Sequence, residues 1–305
     1  MLVNGKWVEN WQPVQAKDEK GGFVRQVSGF RDFVSADGST SFAAEAGRYH
    51  LYVALICPWA SRTLIARKIK GLDEVISVSV VEPELTEQGW RFLSDPDPIL
   101  GATYMHEIYV AARPDYSGRA TVPVLWDKKT KTIVSNESSE ILRMFNAGFG
   151  DLASGPDLYP EALRSQIDAL NERIYPRLNN GVYRAGFATT QLAYEEAFKD
   201  VFDELELLEK TLSTGGPYLL GEAFTEADIR LFVTLIRFDA AYYGLFKTNL
   251  KRITDYPALQ AYMLRILALK GVAETVSIDH IKRGYYSIKA LNPNGIVPKG
   301  PDLGF

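Results

Sequence analysis

Residues 49–81 constrain the fold more than any other part of this sequence. Residues 49–56 are mostly β-branched, aromatic or apolar and end just before Pro58, which is typical of a short buried strand. Pro58 suits the first turn of a helix, and apolar residues then recur at helical spacing up to Gly71. Residues 75–81 form a second apolar strand. The stretch therefore predicts a βαβ unit with parallel strands and a right-handed crossover.

A second pair of strands is predicted at residues 121–127 and 131–135, where the turn-like sequence KKT separates two runs of strand-forming residues. A helix should begin near Asn136, because polar residues that can cap a helix come before an apolar helical pattern. Strand, helix, strand followed by strand, strand, helix is the order of a thioredoxin-like domain.

Residues 82–120 form a long insertion between these two halves and are rich in Pro, Gly and aromatic residues. Loops of this length inside a compact domain are usually functional or disordered, and the aromatic content argues against disorder. We expect the insertion to pack near a functional site.

The pattern becomes helical after a Gly- and Pro-containing linker at residues 149–160. Thr225 and Asp228 form a capping-box-like pair at the start of one predicted helix, and another begins near Pro257. The chain from His280 onward is expected to be irregular because of its glycines and prolines. The periodic apolar residues are Leu163, Ile167, Leu170, Ile174, Leu178, Phe198, Val201, Leu205, Leu208 and Leu212. The predicted divisions are an N-terminal extension (1–45), a thioredoxin-like domain (46–148), the linker (149–160), an all-helical domain (161–284) and a C-terminal tail (285–305).

Charge and hydropathy exclude several classes of protein. The net charge is -4, and Lys and Arg are scattered along the chain, so no nucleic-acid partner is expected. The longest apolar runs are far shorter than the roughly 20 residues that cross a bilayer, so no membrane association is expected. The first residues lack the features of a signal peptide, which predicts a cytoplasmic protein.

The sequence contains one cysteine, Cys57, and three widely separated histidines. One cysteine cannot form an internal disulfide, a CxxC redox pair or a cysteine-rich zinc site, and no metal site is expected. If the thiol takes part in redox chemistry, its partner thiol must come from another molecule.

Cys57 has two interpretations. A lone cysteine at the end of a buried strand is often an inert small hydrophobic residue. Cys57 also directly precedes a predicted helix, whose unpaired N–H groups and dipole favour an anion and can lower a thiol pKa from about 8.5 to roughly 3.5–7.5. The residues alone leave both interpretations open.

Two other positions have similar alternatives. A cis bond between Val122 and Pro123 would turn the Val122 backbone outward to bind an extended peptide, whereas a simple strand-edge proline would not. Glu137 and Ser138, at a predicted helix N-terminus, suit the ammonium and carboxylate of an amino-acid headgroup. Otherwise Ser138 is a capping residue and Glu137 a solvated charge.

Four segments in this order, CPWA, TVPVLW, NESSEI and FTEADIRLF, resemble a glutathione transferase. CPWA together with NNGVYRAGF and the final segments HIKRGYY and NPNGIVPKGP resembles, more narrowly, the glutathionyl-hydroquinone reductases, or xi class. The resemblance implies an α/β thioredoxin-like N-terminal domain, an all-α C-terminal domain, glutathione as co-substrate and a homodimer.

The resemblance also implies roles for individual residues. Cys57 would be the nucleophile, the Val122 backbone would hold the cysteinyl part of glutathione, and Asp228 would be a structural cap. The other implied roles are as follows: Glu137 and Ser138 for the γ-glutamyl group, Trp90 to cover the tripeptide, Arg119 for a glutathione carboxylate, and Tyr183, Tyr285 and Tyr286 for the aromatic substrate.

The chain departs from the family pattern on both sides of the tyrosine pair. Gly284 stands where a histidine usually precedes the pair, and the histidine that usually follows the pair is absent. The family's reaction releases glutathione from an aromatic thioether through a cysteine–glutathione disulfide. The alternatives are an omega-like thiol transferase or dehydroascorbate reductase, a conventional transferase, and a non-catalytic glutathione-binding module.

Overall fold

The structure, a computed structural model, describes residues 1–8 and 16–304. Residues 9–15 of the predicted N-terminal extension and residue 305 of the predicted tail lie outside this part. The described residues belong to two compact units. We call the one drawn from Met1–Gln12, Val27–Asp157 and Glu274–His280 the sheet unit, and the one drawn from Pro13–Gln26, Leu158–Ala273 and Ile281–Phe305 the helical unit.

The regular elements of the described residues are numbered here in chain order. The strands are β1 (Leu2–Val3), β2 (Lys6–Trp7), β3 (Ala16–Lys17), β4 (Phe23–Val24), β5 (Val34–Ser35), β6 (Phe42–Ala43), β7 (Tyr49–Val53), β8 (Ile76–Val80), β9 (Val124–Asp127) and β10 (Thr132–Ser135). The α-helices are α1 (Pro58–Ile69), α2 (Met105–Ala112), α3 (Ser138–Arg143), α4 (Arg164–Ile174), α5 (Gly181–Gly186), α6 (Gln191–Thr214), α7 (Glu226–Arg237), α8 (Tyr243–Leu245), α9 (Pro257–Leu267) and α10 (Ile278–Tyr286). None of these helices combines the length and apolar character needed to span a membrane.

A four-stranded mixed sheet, in the order β10-β9-β7-β8, forms the centre of the sheet unit. Strand β7 runs parallel to β8 and antiparallel to β9. Every residue of β7 is buried, including His50, which explains why its sequence does not alternate between apolar and polar residues. The predicted βαβ unit with parallel strands is confirmed.

The junctions around this sheet also follow the sequence. Helix α1 begins at Pro58, and the chain leaves it through Gly71, whose φ of +63° favours glycine. Strands β9 and β10 form the predicted antiparallel hairpin. Strand β9 begins only after Pro123, since proline has no N–H to donate to a neighbouring strand.

The insertion at 82–120 contains helix α2 and is held against the first hairpin of the chain. The Trp7 indole donates a hydrogen bond to the carbonyl of Glu87 (3.0 Å), and its ring stacks on His106 with centroids 4.6 Å apart. Tyr104 stacks on the same imidazole at 5.6 Å. The insertion is therefore ordered by aromatic contacts within the sheet unit.

The helical unit contains the predicted capping box at the start of α7. The Asp228 carboxylate accepts a hydrogen bond from the Thr225 backbone (2.8 Å), and it also accepts from the Leu219 N–H and the Tyr262 hydroxyl (both 2.9 Å). Burial raises the pKa of Asp228 above its ordinary value despite these hydrogen bonds. The residue therefore has the structural role that was expected.

The expectation that the chain is irregular from His280 onward is wrong for residues 280–286. Helix α10 continues to Tyr286 and spans the point, between residues 284 and 285, at which the sequence analysis began the tail. Ile281 and Tyr285 lie one helical turn apart and are both buried. Polar neighbours and Gly284 hid this short apolar stripe in the sequence.

Candidate active site

Cys57 is the N-cap residue of α1. Its N–H donates to the carbonyl of Ala54 and its carbonyl accepts from the N–H of Ser61, both at 3.0 Å. The thiol is half-buried, and no acidic residue lies in the first turn of the helix. A thiolate here would lie at the positive end of the helix dipole.

The Val122–Pro123 peptide bond is cis and lies beside this thiol. The Cys57 Sγ is 3.7 Å from the Val122 carbonyl oxygen, within reach of a weak S–H hydrogen bond. The structure therefore brings the only cysteine of the sequence and the backbone of Val122 together.

Glu137 is the N-cap residue of α3, and its carboxylate is held on both oxygens. Oε1 accepts from the Ser139 N–H (3.1 Å) and hydroxyl (2.9 Å), and Oε2 accepts from the Ser28 hydroxyl (3.0 Å). Ser138, the first residue of the helix, is buried. No sequence pattern indicates Ser28, because 109 positions separate it from Glu137.

Charge and burial act in opposite directions on Glu137. Burial raises its pKa, but the hydrogen bonds from Ser139 and Ser28 and the charge of Arg62 outweigh that effect, so the pKa lies below its ordinary value. Arg62 is only 2% exposed, and its guanidinium lies 4.4 Å from the centre of the Trp59 ring. Glu137 is therefore ionised at neutral pH.

Trp90 and Arg119 also belong to the sheet unit. Trp90 is half-buried, and its carbonyl accepts from the N–H of Met105 at the start of α2 (2.8 Å). Arg119 is half-buried as well, and its carbonyl lies 3.4 Å from the Tyr116 hydroxyl. Both hydrogen bonds therefore lie within the insertion.

Three tyrosine hydroxyls form a chain inside the helical unit. Tyr183 on α5 and Tyr285 on α10 have hydroxyl oxygens 2.5 Å apart, and the Tyr242 hydroxyl lies 2.8 Å from that of Tyr285. Burial raises the pKa of Tyr242 and of Tyr285 well above the ordinary value. Both phenols therefore stay protonated at neutral pH and keep a proton to donate.

Tyr242 was missed by the sequence analysis, and Tyr286 is placed differently from its neighbour. Successive residues of a helix point about 100° apart, so α10 directs Tyr285 and Tyr286 to different surroundings. Tyr286 is half-buried, and its hydroxyl packs closely against Gly244. Only the first residue of the tyrosine pair joins the chain of hydroxyls described above.

Aromatic rings from distant parts of the sequence surround Tyr183. Phe246 lies 5.4 Å away and Phe23 6.2 Å away, measured between ring centroids. The Arg25 guanidinium lies 5.0 Å from the centre of the Tyr183 ring, and its Nε donates to the Asn180 side chain (3.1 Å). Phe23 and Arg25 come from the N-terminal extension, where the sequence showed no pattern that predicts such contacts.

Within residues 1–8 and 16–304 the structure has no cluster of three or more His, Cys, Asp or Glu side chains arranged to hold a metal ion.

Two family models match the chain. The N-terminal domain model of glutathione S-transferase covers residues 56–147, and the C-terminal domain model covers residues 191–265. The chain belongs to the glutathione transferase family. The thioredoxin-like and all-helical fold predicted for it is confirmed.

This glutathione transferase has close relatives among the glutathionyl-hydroquinone reductases. It is 50% identical over 307 residues to glutathionyl-hydroquinone reductase PcpF of Sphingobium chlorophenolicum, with 99% of this chain and 96% of the relative covered. It is likewise 50% identical to glutathionyl-hydroquinone reductase YqjG of Escherichia coli, with 98% and 94% covered.

Solved structures agree with this placement. The xi glutathione transferase of Phanerochaete chrysosporium superposes with a TM-score of 0.90 at 46% identity, covering 95% of this chain and 98% of that one. The glutathione-bound structure of YqjG superposes with a TM-score of 0.89 at 47% identity, covering 99% and 97%. The resemblance found in the sequence segments is confirmed.

Proposed function

We propose that this transferase reduces glutathionyl-hydroquinones to hydroquinones with glutathione as the reductant. The observation that carries the proposal is the placement of Cys57, the only cysteine of the sequence, at the N-terminus of α1 with its thiol against the Val122 carbonyl. The names of the PcpF and YqjG relatives and the glutathione-bound YqjG structure support the same reaction and co-substrate.

The sheet unit supplies the groups that would bind glutathione. Glu137, ionised at neutral pH, pairs with the γ-glutamyl ammonium, and the Ser138 hydroxyl with the first N–H groups of α3 receives the α-carboxylate. The Val122 backbone holds the cysteinyl residue and so brings its sulfur to Cys57. Trp90 covers the tripeptide, and Arg119 pairs with a carboxylate.

The first step is attack of the Cys57 thiolate on the glutathionyl sulfur. A bare aryl carbanion is too poor a leaving group, so the quinol ring first tautomerises to a ketone. The S–S bond then forms as the carbon–sulfur bond breaks, and the electron pair of that bond flows to the ketone oxygen, which takes a proton. The products are a hydroquinone and a Cys57–glutathione disulfide.

The tyrosines of the helical unit are suited to the oxygen on which charge develops. The resemblance assigns Tyr183, Tyr285 and Tyr286 to the aromatic substrate, and the Tyr183 hydroxyl, which is hydrogen-bonded to that of Tyr285, is the proposed donor to that oxygen. Burial raises the pKa of Tyr285 and of Tyr286, so both phenols keep their protons at neutral pH.

The disulfide requires a second glutathione because the sequence contains no second cysteine. The thiolate of that glutathione attacks the glutathionyl sulfur of the disulfide, which releases oxidised glutathione and returns the Cys57 thiolate. The reaction is therefore a ping-pong cycle with glutathione as both cargo and reductant. We also propose a homodimer, as the resemblance implies, and a cytoplasmic location; light scattering of the purified protein measures the oligomeric state.

Steady-state kinetics of Cys57→Ser test the proposal. Loss of the thiol should lower kcat/KM for a menadiol or benzoquinol conjugate at least about 10³-fold, because serine cannot form the disulfide. Calorimetric glutathione binding serves as the control and should persist, since the other ligands are intact. Retained turnover would contradict the mechanism. Faster reduction of dehydroascorbate than of the conjugates would favour the omega-like alternative instead.

A further inference from the structure

Tyr109, on helix α2 in the middle of the insertion, is fully buried in the sheet unit. Its hydroxyl donates to the Thr121 carbonyl (2.9 Å) and accepts from the Thr121 N–H (3.2 Å). The same oxygen accepts from the Asn136 side-chain amide (3.1 Å). One phenol therefore joins two segments that are 15 positions apart in the sequence.

These contacts use the full hydrogen-bonding capacity of the phenol, which has one proton to donate and two lone pairs to accept. Burial raises the pKa of Tyr109, so the donated proton stays in place across the neutral range. Phenylalanine at this position would fill the same space but would leave the half-buried Thr121 carbonyl and N–H and the buried Asn136 amide without this partner.

Both segments lead directly into the groups that the proposed function assigns to glutathione. Thr121 precedes the cis Val122–Pro123 bond, and Val122 contacts the Cys57 thiol through its carbonyl. Asn136 precedes Glu137, the N-cap of α3. Because consecutive residues are linked by a rigid planar peptide, a shift of Thr121 or Asn136 moves the neighbouring ligand group with it.

Asn136 also forms two hydrogen bonds with Phe30, in the segment that contacts Glu137. The side-chain oxygen of Asn136 accepts from the Phe30 N–H (3.1 Å), and the backbone N–H of Asn136 donates to the Phe30 carbonyl (3.2 Å). This pairing of Phe30 with Asn136 places Ser28 beside Glu137, and the Ser28 hydroxyl donates a hydrogen bond to the Glu137 carboxylate. The rings of Tyr109 and Phe30 meet edge to face with centroids 5.9 Å apart.

We infer that Tyr109 is a positioning residue that sets the spacing between the cysteinyl-binding backbone at Val122 and the γ-glutamyl-binding pair Glu137–Ser138. This inference rests on the proposed function. The insertion would then have a second role besides contributing Trp90, because Tyr109 on α2 would hold in place the protein groups that bind glutathione. Tyr109 itself touches neither the substrate nor the reacting sulfur atoms.

The test is calorimetric titration of Tyr109→Phe with glutathione, using the full chain. We expect binding to weaken about tenfold, equivalent to about 1.4 kcal/mol at 25 °C. Alkylation of Cys57 by iodoacetamide without glutathione should change less than about twofold, because Cys57 is held by its own main-chain hydrogen bonds at the start of α1 and only weakly by Val122. In steady-state assays the KM for glutathione should rise far more than kcat falls.

Tyr49→Phe is the matched control. It removes one buried tyrosine hydroxyl of the same sheet unit, which donates to the Ala43 carbonyl (2.7 Å). This variant should lose thermal stability but bind glutathione as the wild type does. Asn136→Ala is a second variant that breaks the link from its other side, and it should weaken glutathione binding in the same way if Tyr109→Phe is too unstable to study.

Unchanged glutathione affinity in Tyr109→Phe, or an equal loss in Tyr49→Phe, would overturn the inference. If the wild type binds glutathione but does not reduce glutathionyl-hydroquinones, the proposed reaction fails while the affinity comparison still decides the role of Tyr109. If the wild type does not bind glutathione at all, both fail.

Discussion

The charge of Glu137 is controlled by its contacts within the sheet unit. Hydrogen bonds from Ser139 and Ser28 and the positive charge of Arg62 together outweigh the effect of burial and lower its pKa. A carboxylate held ionised and oriented in this way is ready to accept an ammonium group without first losing a proton or turning.

Glu137→Gln should therefore weaken glutathione binding about 10- to 100-fold at neutral pH, because it removes a charge-assisted hydrogen bond to the ammonium. Calorimetric titration measures the change. The matched control is Glu140→Gln, which alters the same short helix at a carboxylate that pairs with Arg31 instead. Equal affinities of Glu137→Gln and the wild type would show that the γ-glutamyl group lies elsewhere.

The lowered pKa of Glu137 also fixes the direction of its pH effect. A carboxyl group with a lowered folded-state pKa stabilises the folded state above its unfolded pKa, and that contribution is lost as the pH falls through the folded-state value. The affinity of the wild type relative to Glu137→Gln should be constant near neutrality and should decline only in acid, below the ordinary pKa of glutamate. A relative affinity that declines between pH 8 and pH 6 would contradict this assignment.

At the scale of whole elements, the N-terminus of α7 depends on one buried carboxyl group. Asp228→Ala would leave the N–H groups of Leu219 and Thr225 without their acceptor, and the Tyr262 hydroxyl would keep only the more distant Asp228 main-chain carbonyl (3.5 Å). We expect a loss of about 2–4 kcal/mol in the free energy of unfolding, since cap loss and unsatisfied buried donors add together. Urea unfolding monitored by circular dichroism measures it.

Asp255→Ala provides the comparison for this prediction. Asp255 accepts from the Arg252 N–H (2.9 Å) in a similar arrangement, but it lies on the surface, where water replaces the lost partner. It should therefore change the unfolding midpoint far less than Asp228→Ala. Similar effects of the two variants would argue against a special role for the buried cap.

Helices and strands with a clear apolar pattern, or with a proline or capping residue at their start, were predictable from the sequence. Strand β7, helix α1 and the start of α7 follow directly from apolar runs, Pro58 and the Thr225 cap. Helices α2 and α10 were not predicted, because each has few turns and is stabilised mainly by tertiary contacts such as those of Tyr109 and Tyr285.

At the scale of the whole molecule, contacts between residues far apart in the sequence could not be predicted from the sequence. Positions next to a local signal, such as Cys57 before Pro58, could be singled out from the sequence. Ser28, Arg62, Tyr109 and Tyr242 could not, because they reach their partners only through the fold: the Tyr242 and Tyr285 hydroxyls, for example, are 43 positions apart. No local pattern encodes such pairs.

For the molecule as a whole, we propose that Cys57 accepts glutathione from the quinol conjugate and passes it to a second glutathione. Intact-protein and peptide mass spectrometry test it after the enzyme is mixed, without free glutathione and without oxygen, with a glutathionyl-menadiol conjugate. The account predicts one glutathionyl group on the Cys57 peptide, release of about one equivalent of menadiol per site, and no further turnover until glutathione is added. An aromatic adduct on Cys57, or continued turnover with an unmodified thiol, would contradict it.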